Sequence, residues 1–239
     1  MKYSNVALIP ARGGSKRIPN KNIKEFCGKP IISYSIKQAQ ESQLFQSIVV
    51  STESKEIAKV AENYGAEVPF MRPNELADDY TGTNAVLIHA LKWLEENDIS
   101  YDYACCIYPV APLVTKKFLI QGYELIRKNK AASVFSVTTY SSSILRSLKI
   151  NKRNRLESIW PEHKKSRSQD LTEAYHDAGQ FYWIDIKKYL KEREILSKDS
   201  MPLVIPRHYV IDVDTKEDWI FAEFLFETIK KVNNNDKKL

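Results

Sequence analysis

A short apolar run, Val6 to Ile9, stops at Pro10 and opens into ARGGSKRIPNKN, a loop with adjacent glycines Gly13 and Gly14 and the cations Arg12, Lys16, Arg17 and Lys21. A buried first strand that runs directly into such a loop points to the open α/β class, in which ligands bind beyond the carboxyl ends of the strands. Glycines let backbone N–H groups approach an anion with no Cβ in the way, and the flanking Lys and Arg supply full positive charge. Ser15 and Asn22 add hydrogen-bonding capacity. The spacing fits neither G-x-x-x-x-G-K-[ST] nor G-x-G-x-x-G, so this is a phosphate loop of another kind. A solvated basic turn is the alternative reading of the same residues.

The pattern downstream repeats strand and helix. Pro30 to Ser42 reads as a helix, Ser47 to Ser51 as a strand, and Ser54 to Tyr64 as a second helix with Ile57, Val60 and Ala61 inward, stopped by Gly65. This β-α-β-α order predicts a doubly wound, mainly parallel sheet. Ala66 to Phe70 is expected as a third short strand, followed by a polar loop, Arg72 to Thr83, and a helix over 84–97. Arg72 either reaches the anion site or pairs at the surface with Glu75, Asp78 or Asp79. Tyr103 to Tyr108 reads as a central strand, which puts Tyr108 and the turn to Leu113 at its carboxyl end and beside the site.

A helix over Lys116 to Asn129 and a strand over Ala132 to Val137 follow. The texture then changes, with eight Lys and Arg between Arg146 and Arg167 against Glu157 and Glu162. A protruding hairpin is expected there, 144–150 and 156–160 around a turn at 151–154. Ala178 to Asp185 returns to the sheet and Lys187 to Arg193 forms a short helix. Asn233 to Leu239 is expected to fray, leaving one domain over 1–232 with 140–175 as an insertion.

YVIDVD, Tyr209 to Asp214, reads as a strand ending in two carboxylates. Alternation puts Asp212 and Asp214 on one face, about 6 to 7 Å apart, close enough to share a divalent ion. Like charges on one face are unfavourable without a cation between them. Asp214 is also an acceptable cap for the helix from Thr215 to Val232, but capping leaves Asp212 unexplained. Carboxylates plus substrate phosphate oxygens are hard ligands and suit Mg2+ better than zinc.

Thirty-six Lys and Arg against 30 Asp and Glu give a net charge of +6, suited to an anionic nucleotide and an acidic sugar. No helix-turn-helix, zinc-knuckle or RNP-like pattern supports nucleic acid as the partner. No signal peptide and no membrane-length apolar run is present, so a cytoplasmic protein is expected. Cys105 and Cys106 are neighbours on a strand and face opposite sides, as reduced core residues; no Ser-His-Asp or Cys-His set stands out.

IPARGGSKRIPNKN, followed by Gly28-Lys29-Pro30 and an apolar helix, resembles the opening of the cytidylyltransferases that activate sialic acid and related nonulosonic acids with CTP. The resemblance continues to Asp214. Where sialic acid enzymes typically carry a Gln and a Thr-Ser pair between prolines, this chain has Tyr108, Val110 and Ala111, a form resembling the pseudaminic acid branch. The resemblance implies transfer of a cytidylyl group from CTP to the sugar's anomeric hydroxyl. Nucleotide contacts would come from Ala11, Arg12, Gly13, Gly14, Ser15, Lys16, Asn22, Arg72 and Tyr108, with Lys21 and Asp212 catalytic and Mg2+ held by Asp212 and Asp214. It also implies sugar contacts by His176, Asp177 and Gln180, a phosphate contact by Arg167, and a homodimer built through the basic hairpin. Sialic or legionaminic acid as acceptor, or a nucleotide-binding regulator without turnover, are the rival readings.

Overall fold

The computed structural model describes residues 4–235. In chain order its elements are β1 (Asn5–Pro10), β2 (Glu25–Phe26), β3 (Lys29–Pro30), α1 (Ile32–Ser42), β4 (Ser47–Ser51), α2 (Lys55–Asn63), α3 (Thr83–Glu96) and β5 (Tyr103–Ile107). The second half adds α4 (Lys116–Asn129), β6 (Ser133–Thr139), β7 (Leu148–Ile150), β8 (Leu156–Ser158), β9 (Tyr175–Asp185), α5 (Ile186–Glu192), β10 (Ser200–Val204) and α6 (Lys216–Asn235).

Six strands form the central sheet in the order β10-β6-β9-β5-β1-β4. β1 pairs in parallel with β4 and β5, β10 in parallel with β6, and β9 runs antiparallel to both of its neighbours. The expected mainly parallel, doubly wound sheet is therefore present. Its central strands are apolar throughout because helices cover both faces; every residue of β5 is buried. Cys105 packs into one face's core and Cys106 into the other's, as alternation requires.

Helix ends follow local chemistry. The Ser54 hydroxyl accepts from the Ile57 amide to start α2, and Gly65, at φ +83°, follows its end. Inside α2, Ile57, Ala58 and Ala61 are buried while Val60 packs from the margin.

The structure departs from the sequence reading in several places. Ala66 to Phe70 forms no strand: beside β4 the chain makes only isolated bridges at Glu67 and Met71, because Pro69 has no N–H to extend a ladder. β10 went unread because Pro202 interrupts it, a residue tolerated here at the sheet edge. Tyr209 to Asp214 is not a strand; a 3₁₀ turn over Arg207–Tyr209 leads into irregular extended chain. The hairpin is shorter than expected, since Ile144–Arg146 is a 3₁₀ turn and only β7 and β8 pair. The C-terminal helix continues to Asn235, and the rest of the expected frayed tail, 236–239, lies outside the described residues.

A third, smaller core positions the site. Ile18 from the basic loop, Phe26, Ile31, Val213, Trp219 and Ala222 form one buried cluster. Phe26 meets Trp219 edge-on at 5.6 Å and Phe226 at 5.5 Å. Burying Ile18 and Val213 together draws the first loop of the chain onto the segment before its last helix.

Candidate active site

A cleft of about 620 Å³ opens at the carboxyl ends of β1 and β5. From β1 the sheet grows toward β4 on one side and β5 on the other, so the crevice between their ends is the expected ligand position of an open α/β sheet.

One wall is the basic loop. Its shape comes from Asn22, buried, whose amide donates to the Arg12 carbonyl at 2.8 Å, and from the Ala11 amide bonded to the Ser51 carbonyl at 2.9 Å. The Gly13 amide donates to Glu53 Oε1 at 2.6 Å. Ala11 and Gly13 thus build the loop, and the cleft surface is carried by Arg12, Ser15, Lys16, Arg17, Lys21 and Asn22. Gly14 also lies off that surface.

Asp212 and Asp214 line the cleft beside this loop. No sheet ladder enforces their alternation, as the expected strand would have done; the burial of Val213 between them turns both toward the cleft. Asp214 does not cap α6. Thr215 and Asp218 close that helix reciprocally: Asp218 Oδ2 accepts from the Thr215 amide at 2.7 Å, and Thr215 Oγ1 accepts from the Asp218 amide at 3.2 Å. The Asp214 carboxylate instead meets Arg17 at 3.0 Å and Lys21 at 3.4 Å. Partial desolvation, then the neighbouring Asp214, pushes the Asp212 carboxyl above the ordinary range against the opposing pull of Lys21.

Arg72 does not pair with Glu75, Asp78 or Asp79 at the surface. It is 4 % exposed, lines the cleft, and donates through Nε to Ser51 Oγ at 3.1 Å. Burial, the largest cause, lowers its pKa. A buried guanidinium that donates to the uncharged hydroxyl and carbonyl oxygens of Ser51 is set for an anionic or strongly polar ligand. Tyr108 lines the same cleft with its hydroxyl 2.9 Å from Thr83 Oγ1 and its ring edge-on to Tyr182 at 5.5 Å.

The remaining expected contacts lie apart from this surface. Asp177 is occupied at both oxygens, Oδ1 by the Gly179 amide at 2.8 Å and Oδ2 by the Tyr182 hydroxyl at 2.6 Å. That clamp fixes Gly179 at φ +61°, and a Cβ built on Gly179 would lie 3.9 Å from the Asp212 carboxyl carbon. Gln180 is 1 % exposed and its amide donates to the Tyr209 carbonyl, steadying the approach to Asp212. His176 stacks obliquely on Tyr140 at 4.8 Å. Arg167 pairs with Asp170 at 2.8 Å on an exposed turn of the insertion. Glu53, Asp79 and Thr83 were missed as site-shaping residues, because their roles depend on contacts far apart in the chain.

Among the described residues no three His, Cys, Asp or Glu side chains converge as a metal cage. Asp212 and Asp214 nonetheless fit Mg2+: two hard oxygen donors side by side, the Asp212 carboxyl pushed up first by desolvation and then by Asp214, suit an ion completed by substrate oxygens and water.

The chain matches the cytidylyltransferase family model over residues 6–238. It is 45% identical over 223 residues to pseudaminic acid cytidylyltransferase of Campylobacter jejuni, covering 93% of this chain and 96% of that protein. It is 33% identical to CMP-N,N'-diacetyllegionaminic acid synthase of Legionella pneumophila, again over 93% of this chain and 96% of the relative. The solved structure of CMP:2-keto-3-deoxy-manno-octonic acid synthetase complexed with CTP superposes with a TM-score of 0.70 at 14% identity, covering 94% of this chain and 99% of the other; it shows a shared fold. The chain belongs to the cytidylyltransferase family.

Proposed function

We propose that this protein transfers the cytidylyl group of CTP to the anomeric hydroxyl of a nonulosonic acid, pseudaminic acid foremost, releasing pyrophosphate. The observation that carries this reading is one cleft that faces Arg12, Lys16, Arg17, Lys21 and the buried Arg72 toward the Asp212–Asp214 pair. The acceptor follows from the 45% identity to the Campylobacter jejuni protein.

In the reaction the sugar oxygen attacks the α-phosphorus in line, and the bond to the β-phosphate oxygen breaks with its electrons leaving on pyrophosphate. Lys21, Lys16 and Arg12 neutralise charge gathering on the phosphates; Arg72 holds the nucleotide from below. Asp212, open to the cleft, is placed to accept the hydroxyl proton. Mg2+, held by Asp212 and Asp214, would supply Lewis-acid polarisation of the phosphate and the sugar hydroxyl. The Asp177–Gly179 clamp keeps the backbone beside Asp212 fixed while this happens.

A second copy of the chain completes the assembly. Leu148, Ile150 and Leu156 share one face of the β7–β8 hairpin and are 58%, 69% and 71% exposed. A two-stranded hairpin is marginal in water without a covered apolar face. Covering it with the same face of another subunit gives a homodimer. Among the described residues no helix is long and apolar enough to cross a membrane, and we place the reaction in the cytoplasm.

The test is mass-spectrometric detection of the CMP-linked sugar from CTP, Mg2+ and pseudaminic acid. The reading requires that product, and its loss on adding a chelator; pyrophosphate release with no acceptor present would make the protein a nucleotide hydrolase instead.

A further inference from the structure

All four cations of the basic loop are ion-paired with one of two carboxylates. Asp214, which takes Arg17 and Lys21, already belongs to the reaction site. The other is Asp79, 2.8 Å from Arg12 and 2.5 Å from Lys16, and it reaches the loop from the polar segment between Arg72 and α3. Arg12 also donates to the Asp78 carbonyl at 2.6 Å. Asp78 spends its own carboxylate on the Tyr80 and Thr81 amides, at 3.0 and 2.6 Å, in a turn that presents Asp79 to the cleft. Next to it Tyr80 is 94% exposed, so this tip has no apolar anchor in the core.

We infer that Asp79 is a built-in occupant of the triphosphate subsite, displaced by the anionic tail of CTP and returning when pyrophosphate leaves. The inference rests on the proposed reading of Arg12 and Lys16 as the triphosphate grip. An internal carboxylate and a bound phosphate cannot both hold the same two cations at contact distance without facing each other as like charges. Exposed ion pairs are weak, so a tail with several charges wins the exchange, while a single phosphate gains much less from it. Asp79 would thereby weaken the hold on CTP and pyrophosphate alike, with little effect on a monophosphate, and would hasten pyrophosphate release. The depressed pKa of Asp79, caused by its bonds to Lys16 and Arg12, agrees with a carboxylate that stays charged in this exchange. The opposing view is that Asp79 positions Arg12 and Lys16 for the nucleotide; the two views predict opposite signs.

The experiment is calorimetric titration of CTP, pyrophosphate and CMP into the wild type, Asp79→Asn and Asp79→Glu. Asp79→Asn should bind CTP and pyrophosphate roughly three- to tenfold more tightly, the scale of two exposed ion pairs, with CMP changed less than about twofold and Asp79→Glu close to wild type. In a Lys16→Ala background the gain from Asp79→Asn should shrink, a readout that a purely structural role would not move. Equal or weaker CTP binding by Asp79→Asn, or an equal gain for CMP, overturns the inference alone. Wild-type protein that binds CTP no better than CMP overturns the triphosphate-grip reading, and the inference with it.

Discussion

Lys21 Nζ donates to the Val213 carbonyl at 2.8 Å and lies 3.4 Å from Asp214 Oδ1, which ties the first loop of the chain to the turn before its last helix. The contact serves both structure and chemistry, because it aims a cation and two carboxylates into one cleft. Lys21→Ala should lower kcat for pyrophosphate release by about a hundredfold or more, the scale of losing one preorganised charge contact to the transition state. Lys21→Arg should recover part of it, since charge is kept. Steady-state kinetics with both variants check this, and unchanged turnover in Lys21→Ala would remove Lys21 from the catalytic set.

Arg72 separates binding from stability. Its guanidinium is buried, and a buried charge is costly to hold in the absence of a ligand. Arg72→Met should leave the ligand-free melting temperature unchanged or raise it, while weakening CTP binding at least tenfold. Thermal melts with and without CTP test both halves.

Asp218 provides the pH-dependent prediction. Its bonds to the Thr215 hydroxyl and amide and to the Asp214 amide hold its carboxyl below the ordinary value of 3.8. A carboxyl with a depressed folded-state pKa contributes stability above its unfolded pKa, and that contribution is lost as pH falls through the folded value. Asp218→Ala should therefore cost about 1 kcal/mol at neutral pH, or about 2–4 °C in Tm for a chain of this size. The difference from wild type should shrink below the ordinary carboxylate range. Because Asp218 also fixes the Asp214 amide, the variant should show a raised Mg2+ requirement.

The hairpin face predicts the oligomer. Replacing Ile150 and Leu156 together with Asp should give monomers by sedimentation without loss of the central sheet, because neither side chain touches the cores of the α/β layer. A persistent dimer would move the interface elsewhere.

Much of the sheet was legible because β1, β4 and β5 are short apolar runs between turn signals, a local pattern. β10 was not, since Pro202 reads as a break unless the strand is known to be at an edge. At the site, Arg12, Lys16, Lys21 and the Asp212–Asp214 pair could be read from charge and spacing. Their arrangement could not: Arg12 meets Asp79 across a separation of 67 residues, and Lys21 meets Asp214 across 193. Asp212 and Asp214 face the cleft through burial of Val213 rather than through the strand expected of YVIDVD. Gln180 and Asp177 were read as sugar contacts from their setting; in the fold Asp177 accepts from the Gly179 amide and the Tyr182 hydroxyl, and the Gln180 amide nitrogen donates to the Tyr209 carbonyl.

The most direct test of the central claim is kcat/KM for pyrophosphate release with CTP and Mg2+, compared across pseudaminic acid, N,N'-diacetyllegionaminic acid and N-acetylneuraminic acid. The account predicts that pseudaminic acid is preferred by at least about tenfold, the discrimination expected from one or two pocket contacts. Preference for another of the three would contradict the acceptor assignment, and no release with any of them, despite CTP binding, would contradict cytidylyl transfer itself.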